Sequence, residues 1–162
     1  MGKEIERKFL VKNDDYKRCI LDSKKIKQGY LCMDPERAVR VRLAGDKGFL
    51  TVKGKSNSTG ISRNEWETEI GLKDAKEMLK LCEPGIIEKT RHAVNHKGYV
   101  YEIDEFHGDN EGLVLAELEL DSEEDIFEKP PWLGEEVTGD ERYYNLSLIK
   151  NPYANWKIKK EI

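Results

Sequence analysis

Val39-Arg40-Val41-Arg42-Leu43-Ala44-Gly45-Asp46-Lys47-Gly48-Phe49-Leu50-Thr51-Val52-Lys53 decides how the chain is read. Charged or polar side chains alternate with apolar ones on both sides of Gly45-Asp46, and a period of two belongs to a strand, whose successive side chains point to opposite faces. Gly45 and Gly48 tolerate the positive φ that a tight reversal needs. The stretch is therefore expected to be an antiparallel hairpin, with Arg40, Arg42, Thr51 and Lys53 on one face and Val39, Val41, Leu43, Leu50 and Val52 on the other.

The same alternation extends outward in both directions. Strands are expected at about residues 3–12, 25–34, 37–45, 48–54, 61–70, 86–96, 98–107 and 113–121, with a second clear turn at Asn95-His96-Lys97-Gly98. Helical spacing predicts short helices over 14–21, over 73–82 (Ala75, Met78, Leu79, Cys82, stopped before Pro84-Gly85) and over 140–148 (capped by Asp140, closed by Asn151-Pro152). Residues 128–138, with Pro130-Pro131, read as an irregular connection, and nothing marks a second domain within 1–162.

Composition narrows the function classes. With 28 Lys plus Arg against 32 Asp plus Glu the net charge is −4, which argues against a protein that coats nucleic acid. No run of eighteen apolar residues and no apolar leader is present, so neither a membrane span nor a signal peptide is expected. Cys19, Cys32 and Cys82 are too few and too scattered for a disulfide framework or a zinc site, and a reducing cytoplasm is the expected location.

Sorted by parity, the charges fall into two sets. Arg40 and Arg42, Lys53, and Lys89 and Arg91 supply cations on three strands. Glu4 and Glu6 (with Lys8), Glu65 and Glu67 (with Arg63 and Glu69), Glu102 and Asp104, and Glu117 and Glu119 supply carboxylates on four others. An ordinary antiparallel sheet with its charges in water explains alternation but not this grouping. If the sheet instead closes into an eight-stranded barrel with the charges inside, the amphipathic helices must help cover its apolar exterior, and the interior is wide enough for one small ligand. Dry burial of so many ions is excluded, because each isolated ion costs on the order of tens of kcal/mol against a total stability of roughly 5–15 kcal/mol. The interior must therefore hold water, a polyanion for the cations, and a hard divalent cation such as Mg2+ or Mn2+ for the carboxylates.

Six ordered elements carry a resemblance. Glu4-Ile5-Glu6-Arg7-Lys8, Arg40-Val41-Arg42, Thr51-Val52-Lys53, Arg63-Asn64-Glu65-Trp66-Glu67, Glu88-Lys89-Thr90-Arg91 and Glu117-Leu118-Glu119 resemble, in order, the motifs of the CYTH superfamily, the triphosphate tunnel metalloenzymes. The run from Gly134 to Asp140 with Arg142-Tyr143-Tyr144-Asn145 is similar to its short bacterial branch. The resemblance implies a mainly β (α+β) fold, an eight-stranded antiparallel closed β-barrel with helices packed outside and a C-terminal plug helix from Asp140. It also implies Mg2+- or Mn2+-dependent hydrolysis of inorganic triphosphate. Because one fold serves several chemistries, class IV adenylyl cyclase, nucleoside or thiamine triphosphatase and non-catalytic polyphosphate binding remain alternatives.

Carried over by position, Lys8, Arg40, Arg42, Lys53, Lys89 and Arg91 are expected to bind the triphosphate, and Glu4, Glu6, Glu65, Glu117 and Glu119 the metal. Lys8, Lys53, Glu67 and Asp104 are the groups expected nearest the chemistry, while parity leaves open which of Glu65 and Glu67 enters the metal shell. The expected partner is a small-molecule triphosphate, not nucleic acid or a membrane, and whether the barrel forms a homodimer stays open. His92, His96 and His107 fall in strands and turns and are read as structural or surface groups. Trp66 and Trp132 are expected in the core or at the rim, and Tyr30 is read as packing at a strand centre, with a place at the tunnel mouth as the alternative.

Overall fold

The computed structural model describes residues 2–160. Its strands are β1 (Gly2–Val11), β2 (Ile20–Cys32), β3 (Arg37–Ala44), β4 (Lys47–Gly54), β5 (Ser62–Ile70), β6 (Ile87–His96), β7 (Tyr99–Phe106), β8 (Val114–Glu119) and β9 (Leu133–Glu136). The α-helices are α1 (Leu72–Leu81), α2 (Asn145–Lys150) and α3 (Tyr153–Lys160), none of them long and apolar enough to cross a membrane.

The sheet order is β5-β4-β3-β2-β6-β7-β8-β1-β9, and β5 also pairs with β1, so the first eight strands close into an antiparallel barrel. Both anticipated turns are present. Lys97 and Gly98, between β6 and β7, both have positive φ, the geometry that lets a two-residue loop follow the right-handed twist of its strands. Closure rests on β1 changing partners along one edge. Gly2 to Ile5 pair with β5, whereas Phe9 and Val11 pair with β9.

α1 seats on the outside of the β3–β4 hairpin at Gly48, where an added Cβ would stand 2.5 Å from the Cβ of Ala75. Because that neighbour is fixed to the helix backbone, the helix itself would have to move. Gly48→Ala is expected to destabilise the protein by about 1–3 kcal/mol, the usual cost of overpacking a filled interface. Urea unfolding with an unchanged midpoint would contradict the close fit.

Three readings are corrected. β9 lies inside the stretch expected to be irregular, where Leu133 is buried in the core after Pro130 turns the chain. β2 begins at Ile20, earlier than its alternation suggests, because its exposed, charge-rich first half pairs with β6 while facing water. The C-terminal helix is interrupted. Asp140 caps a single 3-10 turn, Glu141–Tyr143, through the amide of Arg142, and Tyr144 adopts extended backbone before α2 starts. Pro152 ends α2 as expected, yet α3 follows it at once, since proline suits the start of a helix.

The barrel exterior is covered by loops as well as by α1. Phe9, Val94, Tyr101, Ile103, Ala116 and Leu118 pack against Tyr16, from the 3-10 turn Asp14–Cys19, and against Phe127 and Trp132 from the long connection before β9. Trp132 is buried edge-on to Tyr101 at 5.2 Å, while Trp66 is 40% exposed on the outer face.

The interior changes character along its length. Ile87, Phe106 and Leu115 share the inward parity of Lys89, Asp104 and Glu117, and they join Tyr143, Leu148 and Trp156 in a second apolar cluster. The C-terminal segment thus packs against one end of the barrel, and the charged residues occupy the rest.

Candidate active site

The cavity inside the barrel measures about 880 Å³. Glu4, Glu6 and Lys8 from β1, Arg40 and Arg42 from β3, Lys53 from β4, Arg63, Glu65 and Glu67 from β5, Arg91 from β6, Glu102 from β7, and Glu117 and Glu119 from β8 all line it. Alternation places them there, because each stands on the inward parity of its strand. Lys89 and Asp104 are fully buried behind this lining. The residues expected to bind the triphosphate and the metal, with Glu67 and Asp104, therefore lie in one region, the interior of the barrel.

Two ion-pair groups organise the charges. In the first, the Nζ of Lys53 and the Nε of Arg63 reach Glu4 at 3.1 and 3.4 Å. Burial raises the Glu4 carboxyl, but Lys53 and Arg63 outweigh it and leave the group below its ordinary value. In the second, Arg91 donates to both oxygens of Asp104 at 2.8 and 2.9 Å, and Lys89 meets the same carboxylate at 2.8 Å. Glu117 faces Lys8 at 3.7 Å and Arg91 at 3.8 Å. Burial opposes its charge, yet Lys8, Arg91 and Lys89 hold its carboxyl well below the ordinary range.

Arg40 and Arg42 are held differently. Arg42 donates through Nε to the buried Gln28 at 2.7 Å, and Arg40 donates to the Thr51 hydroxyl at 3.2 Å, with Glu67 at 3.6 Å. Burial, then Arg40 and Arg91, lowers the pKa of Arg42. Burial is the larger cause, and the neighbouring guanidiniums add to it.

The carboxylates show the converse. Burial, then the neighbouring Glu117 and Glu4, pushes Glu6 well above its ordinary value, and burial followed by Glu4 and Glu65 raises Glu119. Glu65 is raised chiefly by burial. Glu67 instead accepts from Thr51 at 2.8 Å beside Arg40.

Several groups at the site receive no role from the sequence. Arg63 belongs to one of the motifs but receives no role from its spacing, and it pairs with Glu4. Gln28 stands behind the lining, where it accepts from Arg42, and carries no charge to draw attention. Tyr144 and Asn145 line the cavity because the helix breaks there, placing the Tyr144 ring 5.4 Å from the Lys8 Nζ. Tyr30 lines the cavity while only 6% exposed, so both of its readings hold. His92 lies away from the cavity, between Ser23 at 2.6 Å and Glu105 at 3.2 Å, and Tyr16 donates to that same Glu105.

A closed antiparallel barrel lined by opposed cationic and carboxylate strands agrees with the family comparison: the CYTH domain model matches residues 2–151. The chain belongs to the CYTH domain family. This CYTH chain is 53% identical over 158 residues to the inorganic triphosphatase of Acetivibrio thermocellus, covering 97% of this chain and 99% of that one. It is 37% identical over 149 residues to the inorganic triphosphatase of Nitrosomonas europaea, covering 90% and 95%. A crystal structure described as an inorganic triphosphatase superposes with a TM-score of 0.65 at 36% identity, over 90% of this chain and 97% of that one.

CYTH membership raises the question of a metal. Among the described residues no three His, Cys, Asp or Glu side chains stand close enough to cage an ion. Mg2+ seldom uses an all-protein cage, because it takes one or two carboxylates and completes its shell with water and substrate phosphates. Glu6 lines the cavity, raised by burial and then by Glu117 and Glu4, and the all-oxygen donor set suits a hard ion. The residues present fit such a group.

Proposed function

We propose that the protein hydrolyses inorganic triphosphate to diphosphate and phosphate inside the barrel, with Mg2+ or Mn2+ as the metal. The observation that carries the reading is the enclosure of Lys8, Arg40, Arg42, Lys53, Arg63 and Arg91 around one cavity, a set of inward donors suited to the oxygens of a compact polyanion. The two triphosphatase relatives support the same substrate class.

Arginine forks on β3 and β6 grip paired phosphate oxygens, and Lys8 and Lys53 act as point charges. Fixed in advance by their ion pairs, they stabilise charge as the terminal phosphoryl group leaves the diphosphate for water, without reorganising during the reaction. Glu6, Glu117 and Glu119 would hold the divalent cation, which supplies charge neutralisation at the triphosphate oxygens.

Phosphate release should be fastest from inorganic triphosphate when it is compared with ATP and thiamine triphosphate under each metal. Release from none of them, or cyclic AMP as the product from ATP, would overturn the proposal.

A further inference from the structure

Lys8 sits where the barrel wall has no continuous strand. β1 leaves β5 after Ile5, the amide of Glu6 bonds to the carbonyl of Ile61, and the ladder with β9 resumes only at Phe9. At this seam the Lys8 peptide has no strand partner on that edge, and the backbone group beside a binding side chain would be left loose.

The chain after β9 closes the gap. The amide of Val137 donates to the Lys8 carbonyl at 2.8 Å, and the Lys8 amide donates to the Thr138 hydroxyl oxygen at 2.9 Å. That hydroxyl has a single proton and two acceptors in reach, Glu136 at 2.6 Å and the Lys8 carbonyl at 3.4 Å. The shorter, charged acceptor takes it, which leaves the oxygen lone pairs free for the Lys8 amide. Glu136 is itself gripped by Arg7, whose Nε donates at 2.8 Å and whose second nitrogen completes the fork. The Arg7 fork, with Thr138 in support, holds the Glu136 carboxyl below its ordinary range, so the acceptor stays charged.

We infer that Thr138 is a positioning residue for the triphosphatase reaction, fixing the Lys8 backbone through a relay from Arg7 on the outer face through Glu136 to the tunnel wall. The inference rests on the reading of Lys8 as a phosphate-binding group. Neighbouring restraints act on the other end of the same side chain, where the Tyr143 carbonyl accepts from the Lys8 Nζ at 3.3 Å. A misplacement of about 1 Å at such a group costs on the order of 100-fold in rate.

Thr138→Val keeps the shape and removes the hydroxyl, whereas Thr138→Ser keeps the hydroxyl. We expect phosphate release from triphosphate to fall at least about tenfold in Thr138→Val and to stay within about threefold of wild type in Thr138→Ser, the larger loss being the one a displacement of up to about 1 Å would give. Equal losses in the two variants, or none in Thr138→Val, would overturn the assignment. Should Thr138→Val fail to fold, amide hydrogen exchange in the wild-type protein decides. A Lys8 amide protected like its strand neighbours supports the relay, and one that exchanges as freely as a loop amide refutes it. Lys8→Ala, run alongside, separates the two ideas, because full activity in that variant defeats the reading of Lys8 whatever Thr138 does.

Discussion

Asp104→Ala is expected to destabilise the protein by about 3–5 kcal/mol, the cost of removing one partner from a buried ion group. Asp104 is fully buried, with one carboxylate oxygen on the Arg91 Nε and the other shared by Arg91 and Lys89. Burial raises its pKa, but Arg91 and Lys89 more than compensate, so it is ionised at neutral pH. Burial already pushes Lys89 down to about 8 with the carboxylate in place. Without it Lys89 drops further and sheds its proton, each tenfold loss of proton affinity being worth about 1.4 kcal/mol. Arg91 has no such escape, because a guanidinium stays protonated, and it would be left with Glu117 at 3.8 Å and the half-exposed Glu102 at 3.4 Å. In urea, at a slope of about 1–3 kcal/mol/M, the midpoint should fall by more than about 1 M. Glu102→Ala, which loses only the exposed contact, should cost less than about 1 kcal/mol. Equal midpoints for Asp104→Ala and wild type would mean that the buried group contributes nothing to holding the barrel.

Parity made the charged wall legible from the sequence. Glu4, Glu6 and Lys8 share a face because strands alternate, and Arg40 stands opposite Thr51, on the face that also carries Arg42 and Lys53, because a tight turn at Gly45 fixes the register. The rule that charge points inward and apolar side chains outward failed at the end where Leu10, Ile87, Phe106 and Leu115 turn inward. There the ligand is replaced by the C-terminal segment, and nothing local in four apolar residues says which solvent they will meet. β9 was hidden for a related reason. Its four residues, Leu133-Gly134-Glu135-Glu136, are too short to establish a period, and they become a strand only because β1 offers them an open edge. Glu69 shows the opposite limit. It has the tunnel parity of Glu65 and Glu67 but is exposed and absent from the cavity wall.

The second large effect is expected at Glu117, where Glu117→Gln should lower phosphate release from triphosphate by at least about 100-fold at saturating metal, the scale of losing one preorganised electrostatic group. Glutamine preserves the size and removes only the charge that faces Lys8 and Arg91. The deeper reason lies in its partnership with Glu6. Burial, then Glu117 and Glu4, raises Glu6 well above the ordinary carboxylate value, while Lys8, Arg91 and Lys89 outweigh burial and hold Glu117 well below it, so the two titrate as a coupled pair. The signs oppose each other. Stability contributed by protonated Glu6 is complete below its unfolded value and is lost as pH rises through the raised one. Stability contributed by Glu117 is present above its unfolded value and is lost as pH falls through the depressed one. A divalent cation bound by these carboxylates would displace any proton that Glu6 holds, so metal affinity should weaken as pH falls, by up to about tenfold for each step of one in pH. Mn2+ titrations at about pH 5.5, where an ordinary carboxylate is already ionised, in two buffers of different protonation enthalpy count that proton directly. More proton should leave the wild-type protein than Glu117→Gln, where Glu6 no longer has a charged carboxylate beside it. Proton release unchanged by the substitution, or activity within about tenfold of wild type, would place the metal away from Glu6 and Glu117 and require the carboxylates of β1 and β8 to serve as counter-charges for the cations instead.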